Sequence, residues 1–324
     1  MEHRPLCASG PEVAVIGLSL SAPPAAGQPL HRLAALAPAT ADPAASGEER
    51  LAATIRRALA LGMNLVDSDW ITAGGHAQEV LGRVLAAHGR ERVLVAGKGG
   101  PRLTFRGELT LDNSRGNLLN QAQDSLFRLQ TERLDLFQVH WPDGTDPVQT
   151  ARGLADVVAL GRAVQAGVCH YSAGQLQALA ALVPLATAQA PLNLLERRFA
   201  ALPPWCAAEG MGFLAADPTC AGLLAGRFRG DECFAEGDGD GLFATPAFGR
   251  ACEMARELAA WAAARGLTAV QAAMAWVLAQ PGVSCVLCAA QSPAECNEAA
   301  AAANVRLSAT ELRELDAMPA RFGL

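Results

Sequence analysis

The chain has 324 residues, 51 % of them apolar, so it can bury a large core; length alone leaves one large or two ordinary domains open. Formal net charge is −6 with a pI near 5.6, and no Lys/Arg-rich run stands out, which argues against a nucleic-acid or anionic-membrane partner. No signal-peptide pattern and no apolar run of bilayer length is seen, so the expected location is the cytoplasm.

Val13–Leu18 (V-A-V-I-G-L) reads as a first strand. Ser21–Gly47, rich in Ala, Pro and Ser, reads as a surface loop or mobile lid. Glu48–Leu61 has helical apolar spacing at Leu51, Ile55, Ala58 and Leu59; Gly62 stops it, and a strand runs on through Asp67. The alternation then repeats. His76–His88 is a predicted helix and Val93–Gly97 a strand that delivers Lys98. Ser114–Leu129 is a helix, and Leu134–Val139 a strand ending at His140. Pro147–Leu160 is a helix, Ala163–Cys169 a strand, Ala173–Leu182 a helix and Leu185–Gln189 a strand. Pro203–Glu209 is a short helix and Met211–Ala216 a strand. After a Gly- and Asp-rich loop, Gly230–Gly241, come helices over roughly 247–265 and 268–279, a last strand Ser284–Ala289, and helices from Pro293 and Ser308. The S-A-T-E at Ser308 is a capping-box signature.

The strands are continuous apolar runs, as expected of parallel strands covered on both faces. No Gly-x-Gly-x-x-Gly opens the first helix, so a closed (β/α)8 TIM barrel fits better than an open doubly wound sheet. No linker divides residues 1–324, so one barrel domain is expected. The nine cysteines are expected to be reduced thiols, and no metal site is expected. The Cys285-x-x-Cys288 pair lacks a second pair at zinc spacing and lies in an apolar, strand-like run.

Chemistry in such a barrel sits where the strands end. The ends offer Asp67, Lys98, His140, Cys169-His170, Gln189 and Asp217. Three successive ends carrying Asp, Lys and His converge on one small volume. The plain structural alternative is a solvated salt-bridge cluster at the barrel mouth.

These residues also carry a family resemblance. The segments R-R-A-L-A-L-G-M-N-L-V-D, L-D-L-F-Q-V-H-W-P-D, P-L-N-L-L-E-R-R, A-W-V-L-A-Q-P-G-V and L-S-A-T-E-L-R-E-L-D-A-M, with the spacing between them, resemble the aldo-keto reductases over nearly the full chain. The resemblance implies an aldo-keto reductase barrel and carbonyl reduction by NADPH. A tyrosine protonates the oxygen, a lysine paired to an aspartate lowers its pKa, and a histidine orients the substrate. Asp67, Lys98 and His140 match three of these positions. The tyrosine belongs five residues after the aspartate, where Thr72 stands; the one tyrosine, Tyr171, follows the fifth strand.

The implied cofactor positions differ as well. G-V-S-N is replaced by G-V-C-H (Cys169, His170), although Gln189 is kept. The position implied for the stacking aromatic holds Ala216, followed by Asp217. The arginine of G-x-R after the last strand is Gln291, and Arg227 keeps a basic residue after G-L-L-A-G. Trp70 and Trp141 would line the substrate mouth. The expectation drawn from these differences is a non-redox enzyme, such as a lyase, dehydratase, isomerase or cyclase, acting on a small carbonyl-type metabolite without a cofactor. The alternatives are an oxidoreductase that still binds NADPH or NADH with an atypical proton donor, and an inert barrel that serves a protein partner.

Overall fold

A computed structural model describes residues 1–21, 47–104, 106, 108–232, 241–244 and 246–324. Eight parallel strands close into a barrel: β1 (Ile16–Ser19), β2 (Leu65–Asp67), β3 (Leu94–Gly99), β4 (Leu134–Val139), β5 (Ala163–Cys169), β6 (Thr187–Pro191), β7 (Gly212–Ala216) and β8 (Val283–Cys288), with β8 hydrogen-bonded to β1. Helices pack outside it: α1 (Gly47–Ala60), α2 (His76–His88), α3 (Arg115–Leu129), α4 (Pro147–Ala159), α5 (Ala173–Ala180), α6 (Leu202–Ala208), α7 (Ala247–Ala263), α8 (Ala269–Leu278), α9 (Pro293–Ala302) and α10 (Ala309–Arg321). The TIM-barrel expectation holds. Of the two expected lid loops, Ser21–Gly47 and Gly230–Gly241, residues 22–46 and 233–240 lie outside the described residues. Among the described residues, no helix is long and apolar enough to cross a membrane.

Local sequence explains the helix ends. Ser114 and Asp146 cap α3 and α4 through their side chains, and Pro147 opens α4, where its missing N–H costs nothing. Full capping boxes start α5 (Ser172 with Gln175), α8 (Thr268 with Gln271) and α10 (Ser308 with Glu311), the last as S-A-T-E predicts.

Side chains alternate along a strand, so one face of each points into the barrel. The inward series read Leu65-Asp67 on β2, Ala96-Lys98 on β3 and Leu136-Gln138-His140 on β4 and its end. Low in the barrel, Leu65, Ala96, Leu136, Leu214, Cys285 and Leu287 form a separate apolar cluster with Leu6 and Val13. A larger cluster fills the space between strands and helices, with Phe137, Phe213 and Trp276 fully buried.

Three differences from the sequence reading stand out. The run Val13–Leu18 is divided. Glu12–Ala14 pairs antiparallel with His3–Pro5, and the barrel strand starts only at Ile16. This N-terminal hairpin seals the barrel floor by driving Leu6 into the inner cluster. The sixth strand begins at Thr187, two residues later than the apolar run suggests. A second hairpin, Pro101–Leu103 with Leu109–Leu111, extends beyond the end of β3, where the sequence shows no strand signal.

Candidate active site

The strand registers bring the ionisable ends together. Ser19 pairs with Asp67, Asp67 with Ala96, and Lys98 with Gln138. Lys98 therefore stands two residues above Asp67's register partner, on the same inward face. Its Nζ donates to Asp67 Oδ2 at 2.5 Å. The same oxygen accepts from Ser19 Oγ at 3.2 Å and, from across the barrel, from Gln189 Nε2 at 3.3 Å. Lys98 also donates to Ser21 Oγ at 2.9 Å. Asp67 and Lys98 are 0 % and 1 % exposed, so this is a buried ion pair, not the solvated cluster of the alternative reading. Such a pair is an expensive way to fill a core, which makes chemistry a better explanation than stability.

Electrostatics separate the roles of the groups. Burial pulls the Lys98 ammonium toward neutrality, but the carboxylate of Asp67, with weaker help from Asp69, outweighs it and holds the pKa above the usual lysine range. His140 is pushed the other way. Burial, then Lys98 and His170, lower its pKa well below the ordinary value, so the ring is neutral at pH 7. His170 falls to about 4, first through burial. Its Nδ1 lies 2.9 Å from the His140 carbonyl oxygen. A carbonyl can only accept, so Nδ1 carries the proton and Nε2 presents a lone pair. Burial raises the Cys169 thiol far above its usual range, leaving it uncharged.

Three rings line one wall. Trp141 stacks on His140 at 3.5 Å between centroids and on His170 at 5.5 Å. Trp70 is fixed by its Nε1, which donates to the Pro101 carbonyl at 3.1 Å in the second hairpin. Thr72 opens a short turn whose backbone N–H donates to Asp69 Oδ1 at 2.8 Å; the following Ala73, Gly74 and Gly75 all take positive φ. His170 and Asp217 are also in left-handed conformations, at φ 63° and 48°.

The remaining expected residues lie apart from this cluster. Asp217 accepts from the Ala221 N–H at 2.6 Å. Burial chiefly, opposed by that bond and reinforced by Glu196, pushes its carboxyl up to about 7. The anion foreseen at this position is therefore only partly charged near neutrality. Ala216 is half-buried at the end of β7. Arg227 and Gln291 meet at Glu295 instead: its Oε2 accepts from Arg227 Nη2 at 3.2 Å and from the Gln291 N–H at 3.1 Å. Ser19 and Ser21 were not foreseen as site residues. Their two-residue spacing at a strand end is the available signal, since it puts both hydroxyls on one face.

Polar atoms at the mouth lack partners. Asp67 Oδ1, Gln189 Oε1 and His140 Nδ1 are buried and make no hydrogen bond among the described residues. Orphaned buried acceptors cost stability unless a ligand satisfies them. A nicotinamide nucleoside carries ribose hydroxyls and a carboxamide NH2, donors of the kind these atoms need, so the nicotinamide end of a dinucleotide fits the residues present.

The model of the aldo/keto reductase family matches residues 39–319. The aldo-keto reductase YhdN of Bacillus subtilis is 32% identical over 251 residues, covering 75% of each chain. The glycerol dehydrogenase structure from Gluconobacter oxydans superposes with a TM-score of 0.83 at 27% identity, covering 99% of this chain and 95% of that one. An aldo/keto reductase from Klebsiella pneumoniae, solved with NADP and acetate, gives 0.71 at 25% identity, covering 98% and 95%. These relatives are named as reductases and dehydrogenases, and one holds NADP. This overturns the expectation of a non-redox lyase, dehydratase, isomerase or cyclase working without a cofactor. Alongside the differences at Thr72, Cys169, His170, Ala216, Asp217 and Gln291, the buried Asp67–Lys98 pair and His140 stand in place.

Proposed function

Since the chain belongs to the aldo/keto reductase family, we propose that it is a nicotinamide-dependent oxidoreductase interconverting a small carbonyl compound and its alcohol, with a proton donor other than tyrosine. The observation that carries this reading is the fully buried Asp67–Lys98 pair beside the orphaned acceptors Asp67 Oδ1 and Gln189 Oε1. A bound reduced nicotinamide would supply the hydride.

The chain's own groups do the rest. Gln189 and Asp67 receive the amide and ribose donors. The Lys98 ammonium lies close to where the carbonyl oxygen gains negative charge, and its field favours that change most in a dry site. His140, neutral, orients the substrate oxygen by hydrogen bonding and cannot act as an imidazolium acid at neutral pH. Trp70, Trp141 and the His170 ring exclude water and shape the mouth. The cytoplasm is the setting this reading favours, supported by cysteines that are all free thiols among the described residues.

A fluorescence titration with NADPH and NADH tests it. Saturable binding in the micromolar range is expected for at least one of them. No binding of either up to millimolar concentration overturns the proposal.

A further inference from the structure

Reduction of a carbonyl needs a proton as well as a hydride, and the groups at the mouth are unequal to that task. Lys98 is the acid with the strongest electrostatic support, yet it is 1 % exposed and its Nζ is turned toward Asp67. His140 is neutral at pH 7. Of the groups bonded to Lys98 Nζ, Asp67 lies behind it and fully buried, whereas Ser21 is only half-buried and lies just past the end of β1. Ser21 is therefore the partner of Lys98 Nζ that is open to solvent. The Ser21 carbonyl oxygen also lies 3.4 Å from Ser19 Oγ, whose one proton it shares with the shorter contact to Asp67 Oδ2.

From this geometry we propose that Ser21 is the proton donor of the reaction, acting as the terminal hydroxyl of an Asp67–Lys98–Ser21 relay. The inference rests on the oxidoreductase reading above. As the carbonyl carbon accepts hydride from a reduced nicotinamide, the carbonyl oxygen takes the Ser21 Oγ proton. In the same motion Ser21 Oγ takes a proton from the Lys98 ammonium, so no free alkoxide accumulates. Lys98, left as the amine, regains its proton from solvent through Ser21 after product leaves. One hydride and one proton reach the substrate, and Asp67 keeps its charge throughout. In alcohol oxidation the same steps run backwards. The 2.9 Å contact is what makes the coupled transfer feasible, since it is a normal hydrogen-bond length for a charged donor.

Two measurements test the relay, one of them independent of turnover. In Ser21→Cys, the pH dependence of alkylation at residue 21, followed by peptide mass spectrometry, reports the pKa of the introduced thiol. The ammonium should hold it well below the ordinary value of about 8.5. Adding Lys98→Gln should bring it back. An introduced thiol that titrates at or above the ordinary value overturns the relay, whether or not the double variant folds. The second measurement uses Ser21→Ala with a small aldehyde and whichever of NADPH or NADH the protein binds. The expected kcat falls about 10²–10⁴-fold, the usual loss for a positioned acid. The cofactor Kd should be unchanged, and Ser21→Thr should recover much of the rate. Wild-type kcat in Ser21→Ala overturns the relay while leaving the oxidoreductase reading intact. If the wild-type chain binds neither nicotinamide, the oxidoreductase reading itself fails and the relay with it.

Discussion

The carbonyl oxygen of Leu6 occupies the space that a Cβ on Gly212 would need. The N-terminal hairpin thus sits directly on the first residue of β7, and only a glycine leaves it room. Gly212→Ala should lift the hairpin off the barrel floor and free Leu6 from the inner cluster. The expected cost is about 1–3 kcal/mol or more, as for other overpacking changes in a close-packed core. Urea unfolding measures it. An unchanged midpoint would mean that the hairpin does not seat there in solution.

The Asp67–Lys98 pair should behave as a unit. Lys98→Met leaves a buried carboxylate without its partner and should destabilise by about 3–5 kcal/mol. Replacing both, with Asp67→Leu and Lys98→Met, should recover most of that loss and still abolish activity. A double-mutant cycle by denaturant unfolding reads the coupling directly. Additive losses would show that the two charges do not depend on one another.

Asp217 gives a pH signature. Its folded-state pKa of about 7 lies above the ordinary 3.8, so between those values the folded chain binds more protons than the unfolded one. The stability it contributes is present at low pH and is lost as pH rises through 7. Asp217→Asn cannot ionise, can still accept from the Ala221 N–H, and tolerates the positive φ. The variant should match wild type near pH 4 and exceed it at pH 8 in thermal unfolding. A difference that does not change with pH would contradict the raised carboxyl.

Glu295 should influence cofactor choice. Its carboxylate pairs with Arg227 and stands at the start of α9, where a phosphate would otherwise be favoured. The family resemblance sets the adenosine phosphate in this region. Glu295→Gln should raise affinity for NADPH relative to NADH by about 2- to 5-fold, matching the ~0.3–1 kcal/mol of a charge near a helix end. An unchanged ratio in paired titrations would separate this cluster from the cofactor.

Strand-end logic located Asp67, Lys98 and His140 because parallel barrels present such residues on a common face. It works without knowledge of any contact. It misplaced the start of the barrel, because V-A-V-I-G-L is one apolar run in sequence but serves two pairings in space. It also passed over Ser21, which opens an Ala-, Pro- and Ser-rich stretch and gains meaning only from a lysine 77 residues away. Arg227, read as a retained basic residue, and Gln291, read as drift, show no link in the sequence, since the carboxylate that joins them belongs to the following helix. The changes at Thr72, Ala216 and Gln291 mislead for a related reason. Counting changed positions says nothing about which contacts are shared, whereas the buried pair, its four-strand support and the orphaned acceptors form one connected network.

His170 carries one more consequence. Its backbone lies in the left-handed region at φ 63°, a conformation that glycine adopts freely and that asparagine, aspartate and histidine tolerate better than other residues. A bulkier or β-branched side chain at residue 170 is therefore expected to strain this loop. Of the four, histidine alone brings both an aromatic face to lay against Trp141 and a ring nitrogen with a free lone pair.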